Sequence, residues 1–268
     1  MLNVHASNRL EQLIGRLAGN IGTPASDNPL VPEIIVAERG IDRWLMLQLA
    51  QRHGIAANID IQLPAGFVWQ TLRGLFPGAP RRSPYDRGAL AWRLMSLLDP
   101  AQLDAATFAP VTRYLAADDA GAVDLRKRYQ LARKLAEQFD QYLVYRHTMI
   151  LAWERGEPDG TGLDAKTRSA KGGDQSGSSD DEAWQAILWR RLVAAAGGEH
   201  RARLLDRFFS AARDRTIDAT KLPRRVSVFA VPALPPAYVA VLAALGEHTD
   251  VDLYVVNPSA EFWDDAIR

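Results

Sequence analysis

The stretch VSVFAVPALPPAYVAVLAALGEHTDVDLYVV, residues 226–256, decides the fold class. It begins with a β-branched apolar run at 226–231, which predicts a buried strand. The prolines at 235–236 suit the first turn of an amphipathic helix, and Gly246 is placed as its C-terminal cap. A second apolar run at 251–256 predicts another strand. Strand, helix and strand in succession indicate a parallel sheet and an α/β fold.

The beginning of the chain shows the same alternation. Short apolar runs that predict strands or extended segments occupy residues 2–6, 33–37 and 55–64. Apolar residues at spacings of three and four predict helices at residues 10–17, 41–53 and 67–76. We therefore expect residues 1–77 and 222–268 to form one parallel sheet with its helices.

Residues 78–221 differ in pattern, because their apolar side chains fall mostly at helical spacing. Leu90, Leu94, Leu97 and Leu98 form one such stripe. The pattern predicts a mostly helical domain inserted into the α/β part. Within it, residues 156–182 are rich in glycine and serine and poor in apolar side chains, which predicts a mobile surface loop.

The overall composition is that of a globular protein. The chain has 268 residues, 32 Lys+Arg against 32 Asp+Glu, and no cysteine. Zero net charge excludes a globally basic nucleic-acid-binding protein, although a local basic stripe stays open. The missing cysteines exclude disulfides and thiolate metal sites and suit a cytoplasmic location. No uncharged apolar run is long enough to cross a membrane.

Known catalytic patterns are missing from the sequence. A phosphate-binding loop needs G-x-x-x-x-G-K-[ST], but the turn HASNRLEQL at residues 5–13 has neither glycine nor lysine. There Ser7 or Asn8 is expected to cap the following helix. The strand at 226–231 is followed by Pro232 and apolar residues, and no carboxylate stands there to hold magnesium. The five histidines have no metal-ligand spacing. We therefore expect neither catalysis nor a cofactor from this chain.

Binding chemistry has more support. Arginine-rich clusters at 81–82, 126–128, 190–191 and 201–203 are interleaved with aromatic residues. Arginine suits phosphate, and aromatic rings can stack bases of single strands. The alternative interpretation is ordinary, because basic doublets on helices are usually solvated and helical aromatics usually belong to the core.

Longer segments of the sequence resemble one family. Five segments occur in this order: HASNRLEQL (5–13), GIAANIDIQLPAGFVWQ (54–70), FDQYLVYR (139–146), AWQAILWRRL (183–192) and VPALPPAYVAVLAALGEHTDVDLYVVNP (231–258). Together they resemble the N-terminal region of the RecC family, the gamma subunits of bacterial exodeoxyribonuclease V (RecBCD). The resemblance covers nearly all of the chain except 156–182. Members of the family are several times longer, so the chain is expected to be a fragment.

The resemblance implies a P-loop-NTPase fold of the superfamily-1 helicase type, degenerate and without Walker motifs. Residues 1–77 and 222–268 would be an inactive RecA-like domain 1A, and residues 78–221 the inserted domain 1B. It further implies a non-catalytic subunit that binds RecB-like and RecD-like partners and single-stranded and forked DNA, with no membrane association. Such a subunit guides the 3′-ended strand through a channel that recognises the Chi sequence.

The resemblance also assigns residues to the channel. The positions carried over are Leu63, Trp69, Asp140, Gln141, Arg146 and Arg201. Trp69 would stack a base, Asp140 and Gln141 would bond base edges, and the arginines would hold phosphate or a purine edge. Other channel-facing positions depart from the family pattern, namely Ala37, Arg39, Arg43, Glu137 and Gln138. Because base recognition depends on donor and acceptor placement, these departures imply a changed Chi sequence or none.

Two other functions stay open at this point. One is a stand-alone nucleotide-dependent enzyme with an aberrant phosphate loop. The other is a protein-interaction scaffold that makes no DNA contact within this fragment. Magnesium-dependent ATP binding would favour the first, and failure of DNA to crosslink would favour the second.

Overall fold

Five strands form one sheet. The strands of the computed structural model are β1 (Leu2–Ser7), β2 (Glu33–Ala37), β3 (Ile59–Gln62), β4 (Arg225–Phe229) and β5 (Asp250–Val256). Their order is β1-β5-β4-β2-β3, and every neighbouring pair is parallel. The structure describes residues 1–26, 28, 30–79, 82–116, 124–157 and 176–257. The prediction of an α/β fold with a parallel sheet is confirmed.

The chain divides into two compact units. One comprises Met1–Gly78 and Phe208–Arg268, and the other comprises Ala79–Arg207. The first unit holds the whole sheet. Both of its segments contribute strands, and β4 and β5 from the second segment lie between β1 and β2 from the first. The second unit is helical in the residues that the structure describes.

In the first unit helices cover the sheet. They are α1 (Leu10–Ile21), α2 (Asp42–His53), α3 (Pro64–Leu75) and, near the end, α10 (Pro236–Leu245). Leu13, Ile14 and Leu17 of α1 are fully buried in one core with Ile35 of β2 and Phe229 of β4. This arrangement follows from the alternation of strand side chains, which leaves the intervening residues for the other face. There α3 packs against α10 and β2.

The second unit is built from helices α4 to α8 and the first part of α9. Their bounds are α4 Arg87–Leu97, α5 Ala109–Leu115, α6 Leu125–Tyr145, α7 His147–Arg155, α8 Ser176–Ala196 and α9 Arg201–Arg213. Short 3-10 turns lie at Pro100–Gln102 in this unit and at Ala219–Lys221 in the first unit. Leu90 and Leu94 of α4, Phe139 of α6 and Trp189 of α8 are fully buried in its core. The helical spacing of these side chains is the reason that they share one interior.

Helix α8 begins earlier than the sequence indicates. Residues 176–182 were predicted to be loop, but the helix begins at Ser176. The buried part of this helix, which includes Leu188 and Trp189, anchors it in the core. Adding turns to a helix that already exists costs little, since the unfavourable step is nucleation. The rest of the predicted loop, residues 158–175, lies outside the described residues.

The ends of β4 and α10 were both predicted, and only the end of β4 differs. Strand β4 ends at Phe229 because Ala230 has φ +49°, a left-handed conformation that stops the strand. Gly246 is the C-cap residue of α10, as predicted, although its φ of −61° is not the left-handed conformation usual for a glycine after a helix. It packs closely on β1, and a Cβ at this position would lie 3.0 Å from the Cβ of Leu2. Within the described residues no helix is long and apolar enough to cross a membrane.

Candidate functional site

The carboxyl ends of the strands bring several candidate residues to one edge of the sheet. In parallel sheets ligands bind at this edge. Arg39 and Arg43 follow β2, and Leu63 follows β3. Both arginines are exposed, and Leu63 is 40% exposed at the N-cap of α3. Ala37, by contrast, is buried at the end of β2 and belongs to the core.

The turn from β1 into α1 lies at the same edge. Arg9 is the N-cap residue of α1, and its side chain makes no capping bond, so neither Ser7 nor Asn8 holds the N-cap position. The Ser7 hydroxyl accepts a hydrogen bond from the backbone N–H of Arg9 at 3.1 Å and donates one to Gln12 Oε1 at 2.7 Å. Because Ser7 lies two residues before the N-cap, its hydroxyl accepts from the N–H of Arg9. An N-cap side chain would instead accept from an N–H of the second or third helical residue. The Ser7 hydroxyl is engaged within the protein.

Trp69 is buried in the first unit. Its side chain is 9% exposed, and its ring meets the ring of Tyr238 edge-on at 6.0 Å between centroids. The neighbouring apolar positions Val68, Leu72 and Leu75 of α3 are also buried. This geometry gives Trp69 a packing role between α3 and α10. Stacking on a base would require the indole face to be accessible.

Other candidates lie on α6 and α9 of the second unit. The Asp140 carboxylate accepts a hydrogen bond from Arg201 Nη1 at 2.7 Å and one from Arg87 Nη2 at 2.9 Å. The side chain of Asp140 is only 16% exposed, so this double pairing offsets the cost of removing the charge from water. The bond to Asp140 raises the pKa of the Arg87 guanidinium. The structure thus brings two candidates, Asp140 and Arg201, into direct contact.

The neighbours of Asp140 on α6 are more accessible. Gln141 is exposed, whereas Glu137 and Gln138 are half-buried. The Glu137 carboxylate pairs with the Lys134 ammonium at 3.5 Å. Arg146 follows the last residue of α6 and is exposed, with its Cζ 5.5 Å from the centre of the Tyr142 ring. Gln141 and Arg146 therefore have polar groups within reach of a ligand.

Arg87 is a residue that the sequence did not indicate. It lies 53 positions before Asp140, at the start of α4, and no local pattern links the two.

A second unexpected group surrounds Glu154 of α7. Its carboxylate accepts hydrogen bonds from Trp189 Nε1 at 3.1 Å and Arg203 Nε at 2.9 Å, and the His200 Nε2 atom lies 2.5 Å from it. Because His200 is fully buried, this group serves as a polar link between α7, α8 and α9.

The pKa of Glu154 reflects competing causes. Burial alone would raise it, but the hydrogen bonds from His200, Arg203 and Trp189 outweigh that effect, so the pKa lies below the ordinary value. A carboxylate that is held charged by three partners is a poor proton donor or acceptor near neutral pH. Among the described residues no three His, Asp or Glu side chains form a group that could hold a metal ion.

Comparison with known proteins decides the family. The sequence model described as RecC, N-terminal domain, matches residues 2–268. The chain belongs to the RecC family. It is 36% identical to the RecBCD enzyme subunit RecC of Escherichia coli K12, over 99% of this chain and 22% of that protein. The resemblance identified from the five sequence segments is confirmed.

More distant members of the RecC family match over the same extent. The RecC subunit of Haemophilus influenzae Rd is 33% identical over 99% of this chain and 24% of that protein. The RecC subunit of Mycobacterium tuberculosis H37Rv is 32% identical over 98% of this chain and 23% of that protein. The chain thus spans about a quarter or less of the curated relatives that it matches.

Proposed function

We propose that this chain is the N-terminal part of a non-catalytic, DNA-handling subunit of a RecBCD-type helicase–nuclease, which acts in the cytoplasm in double-strand-break repair. The observation that carries the proposal is the match to the RecC N-terminal domain over residues 2–268. Its relatives are named subunits of the RecBCD enzyme, so partners similar to RecB and RecD are the expected assembly. The stand-alone enzyme and the DNA-free scaffold have no comparable support.

The proposal includes a helicase-like scaffold that has lost its ATPase residues. The first unit would be domain 1A and the helical unit domain 1B. A parallel sheet with a helix after β1 suits this assignment. The turn after β1 has no G-K-[ST], and Ser7 bonds Arg9 and Gln12. No carboxylate stands among Ala230, Val231 and Pro232 after β4. Both features agree with a domain that transmits DNA and hydrolyses nothing.

The finer part of the proposal is recognition of Chi in the 3′-ended strand. Gln141 and Arg146 are exposed and chemically suited to base edges and phosphate, respectively. Arg39, Arg43 and Leu63 at the carboxyl edge of the sheet are accessible in the same way. Trp69 supports such a site through packing. Arg201 donates a hydrogen bond to Asp140, so a DNA strand would contact these two residues as a pair.

The test uses the complete protein that contains this sequence, reconstituted with its RecB-like and RecD-like partners. We expect the complex to unwind and degrade linear duplex DNA, and Arg146→Ala or Gln141→Ala to reduce the response to Chi without reducing unwinding. The isolated complete subunit should bind no Mg–ATP by titration calorimetry. ATP turnover that is lost on mutation of the turn at residues 7–9 would refute the non-catalytic assignment.

A further inference from the structure

A groove in the second unit has features that the DNA-handling residues discussed above do not explain. It lies between α4 and α6, with Tyr114 of α5 at its rim, and encloses about 810 Å³. We call it the α4–α6 groove and define it by Arg87, Trp92, Tyr114, Tyr129, Arg133 and Lys134. All six lie in the helical unit. Its volume falls within the range of ligand-binding clefts, about 300–1,000 Å³.

Exposed aromatic rings are the first unusual feature of the groove. Trp92 is 63% exposed and Tyr114 is 48% exposed. The Trp92 ring lies 5.5 Å from the ring of Tyr129, centre to centre, and is tilted by 39° to it. An exposed tryptophan presents a large apolar area, and covering that area with a bound group is favourable. Trp92 and Tyr114 offer accessible surface on which planar groups can stack, and Tyr129 lies half-buried beside Trp92.

Cations beside these rings are the second feature. Arg133 and Lys134 lie on α6 and are exposed, and Arg87 lies at the start of α4. Among the described residues no carboxylate lies within ion-pair distance of Arg133. Glu137 is the acidic residue of the groove, and it pairs with Lys134 at 3.5 Å. The groove therefore keeps an excess of positive charge, which is complementary to phosphate and unsuited to a cationic peptide.

The groove is continuous with the candidate residues on α6. Gln130, Arg133 and Glu137 follow one another at spacings of three and four, and Gln141 comes four residues later, so they share one face of the helix. Arg87 joins the two regions directly, because it lines the groove and donates to the Asp140 carboxylate at 2.9 Å. A strand held at Gln141 thus has a path along α6 toward Trp92.

We infer that the α4–α6 groove binds single-stranded nucleic acid without reading its sequence, by stacking bases on Trp92 and Tyr129 and holding phosphates with Arg133 and Lys134. Aromatic faces combined with a positive groove are the usual means of binding a single strand of any sequence. The inference deepens the proposed function and rests on it for the identity of the strand. It adds a holding site beside the residues proposed to recognise Chi.

The test crosslinks DNA to the complete reconstituted complex. A forked duplex carries 5-iododeoxyuridine in its 3′-ended tail, and crosslinked peptides are identified by mass spectrometry after irradiation. We expect crosslinks to Trp92 or Tyr129. Trp92→Ala should abolish the crosslink at residue 92 and weaken tail binding about five-fold or more, the loss that one stacked base accounts for. Arg133→Glu should lower the salt dependence of binding.

Matched variants separate the groove from general effects. Arg73→Glu changes an exposed arginine of α3 outside the groove and should leave binding unchanged. A complex that binds and unwinds the fork but gives no crosslink in the groove would overturn this inference and leave the proposed function intact. Loss of subunit assembly in Trp92→Ala would also overturn it and identify a protein occupant. A wild-type complex that does not bind DNA ends would refute both proposals.

Discussion

Arg201 donates a hydrogen bond from Nη1 to Asp140 Oδ1 at 2.7 Å, although 61 positions separate the two residues in the chain. The bond joins the start of α9 to α6. Both side chains are partly shielded, at 28% and 16% exposure, so water and salt weaken the pair less than they weaken a fully exposed one. Any ligand group that approaches Asp140 must compete with this arginine and with Arg87.

A double-mutant cycle should detect the coupling between these residues. We expect Asp140→Ala and Arg201→Ala to show a coupling of about 1 kcal/mol in the free energy of unfolding, near the upper end for surface ion pairs. The control is the exposed pair Lys134 and Glu137, which lies 3.5 Å apart and should give only ~0.3 kcal/mol. Equal couplings in the two cycles would mean that the shielding of Asp140 has no energetic consequence.

Glu154 should make the stability of the helical unit sensitive to acid. Its pKa in the folded protein lies below the ordinary 4.5, because three hydrogen bonds outweigh the burial that would raise it. The unfolded chain therefore takes up the proton first as the pH falls. The stabilisation is fully present above the unfolded pKa and is lost as the pH falls through the folded pKa.

Melting curves between pH 6 and pH 3 can test this expectation. Glu154→Gln should lower the melting temperature at pH 6 and reduce its further decline toward low pH, since the titrating group is gone. Glu11→Gln, which changes an exposed residue in the first turn of α1, serves as the control and should leave the curve nearly unchanged. An unaltered pH dependence in Glu154→Gln would contradict the assignment of the shift to this carboxyl.

Two substitutions can distinguish a packing role of Trp69 from a role in stacking a base. Truncation by Trp69→Ala removes a buried side chain and should cost about 3–5 kcal/mol of unfolding free energy. Trp69→Phe keeps an aromatic ring near Tyr238 and should cost less. If Trp69 acts through packing alone, a folded Trp69→Phe protein should retain the DNA affinity of the wild type. A large loss of affinity without loss of stability would instead favour direct contact between the indole and a base.

A side chain at Gly246 should destabilise the first unit. A Cβ there would lie 3.0 Å from the Leu2 Cβ and 3.2 Å from the Leu2 backbone nitrogen, so in Gly246→Ala the neighbouring Leu2 must yield by a few tenths of an ångström. We expect a loss of about 1–3 kcal/mol, the range for overpacked sites. Gly15→Ala is the matched control, because Gly15 lies in the middle of α1 with nothing within 4 Å of its added Cβ. That variant should be more stable by about 0.5–1 kcal/mol.

The strands were predictable because their signals are local. The run at 33–37 is β-branched and flanked by breakers, and β2 spans Glu33–Ala37 as predicted. The apolar run at 251–256 likewise became β5, Asp250–Val256. Strand β3 is shorter than the predicted 55–64, because only Ile59–Gln62 pairs with β2. Pairing partners depend on tertiary structure, and periodicity cannot supply them.

The candidate site was predictable only in part. The resemblance supplied Asp140, Gln141 and Arg146, but nothing in the sequence linked Asp140 to Arg87 or Arg201, since these contacts depend on how helices pack. Burial of Trp69 had a signal that could have been used. Val68, Leu72 and Leu75 form an apolar stripe at helical spacing beside it, which predicts the buried face of α3. Interleaved basic and aromatic residues were visible in the sequence, but which of them meet in one groove depends on the packing of three helices.

The strand order has a consequence for biosynthesis. β1 and β2 leave the ribosome early but are not neighbours, because β5 and β4 lie between them. At a translation rate of about 5–20 residues per second, the ~190 residues between β2 and β4 delay closure of the sheet by roughly 10–40 s. During that interval the backbone edge of β2 that later pairs with β4 has no partner strand. We expect this unpaired edge to make the nascent chain prone to association until β4 and β5 have emerged.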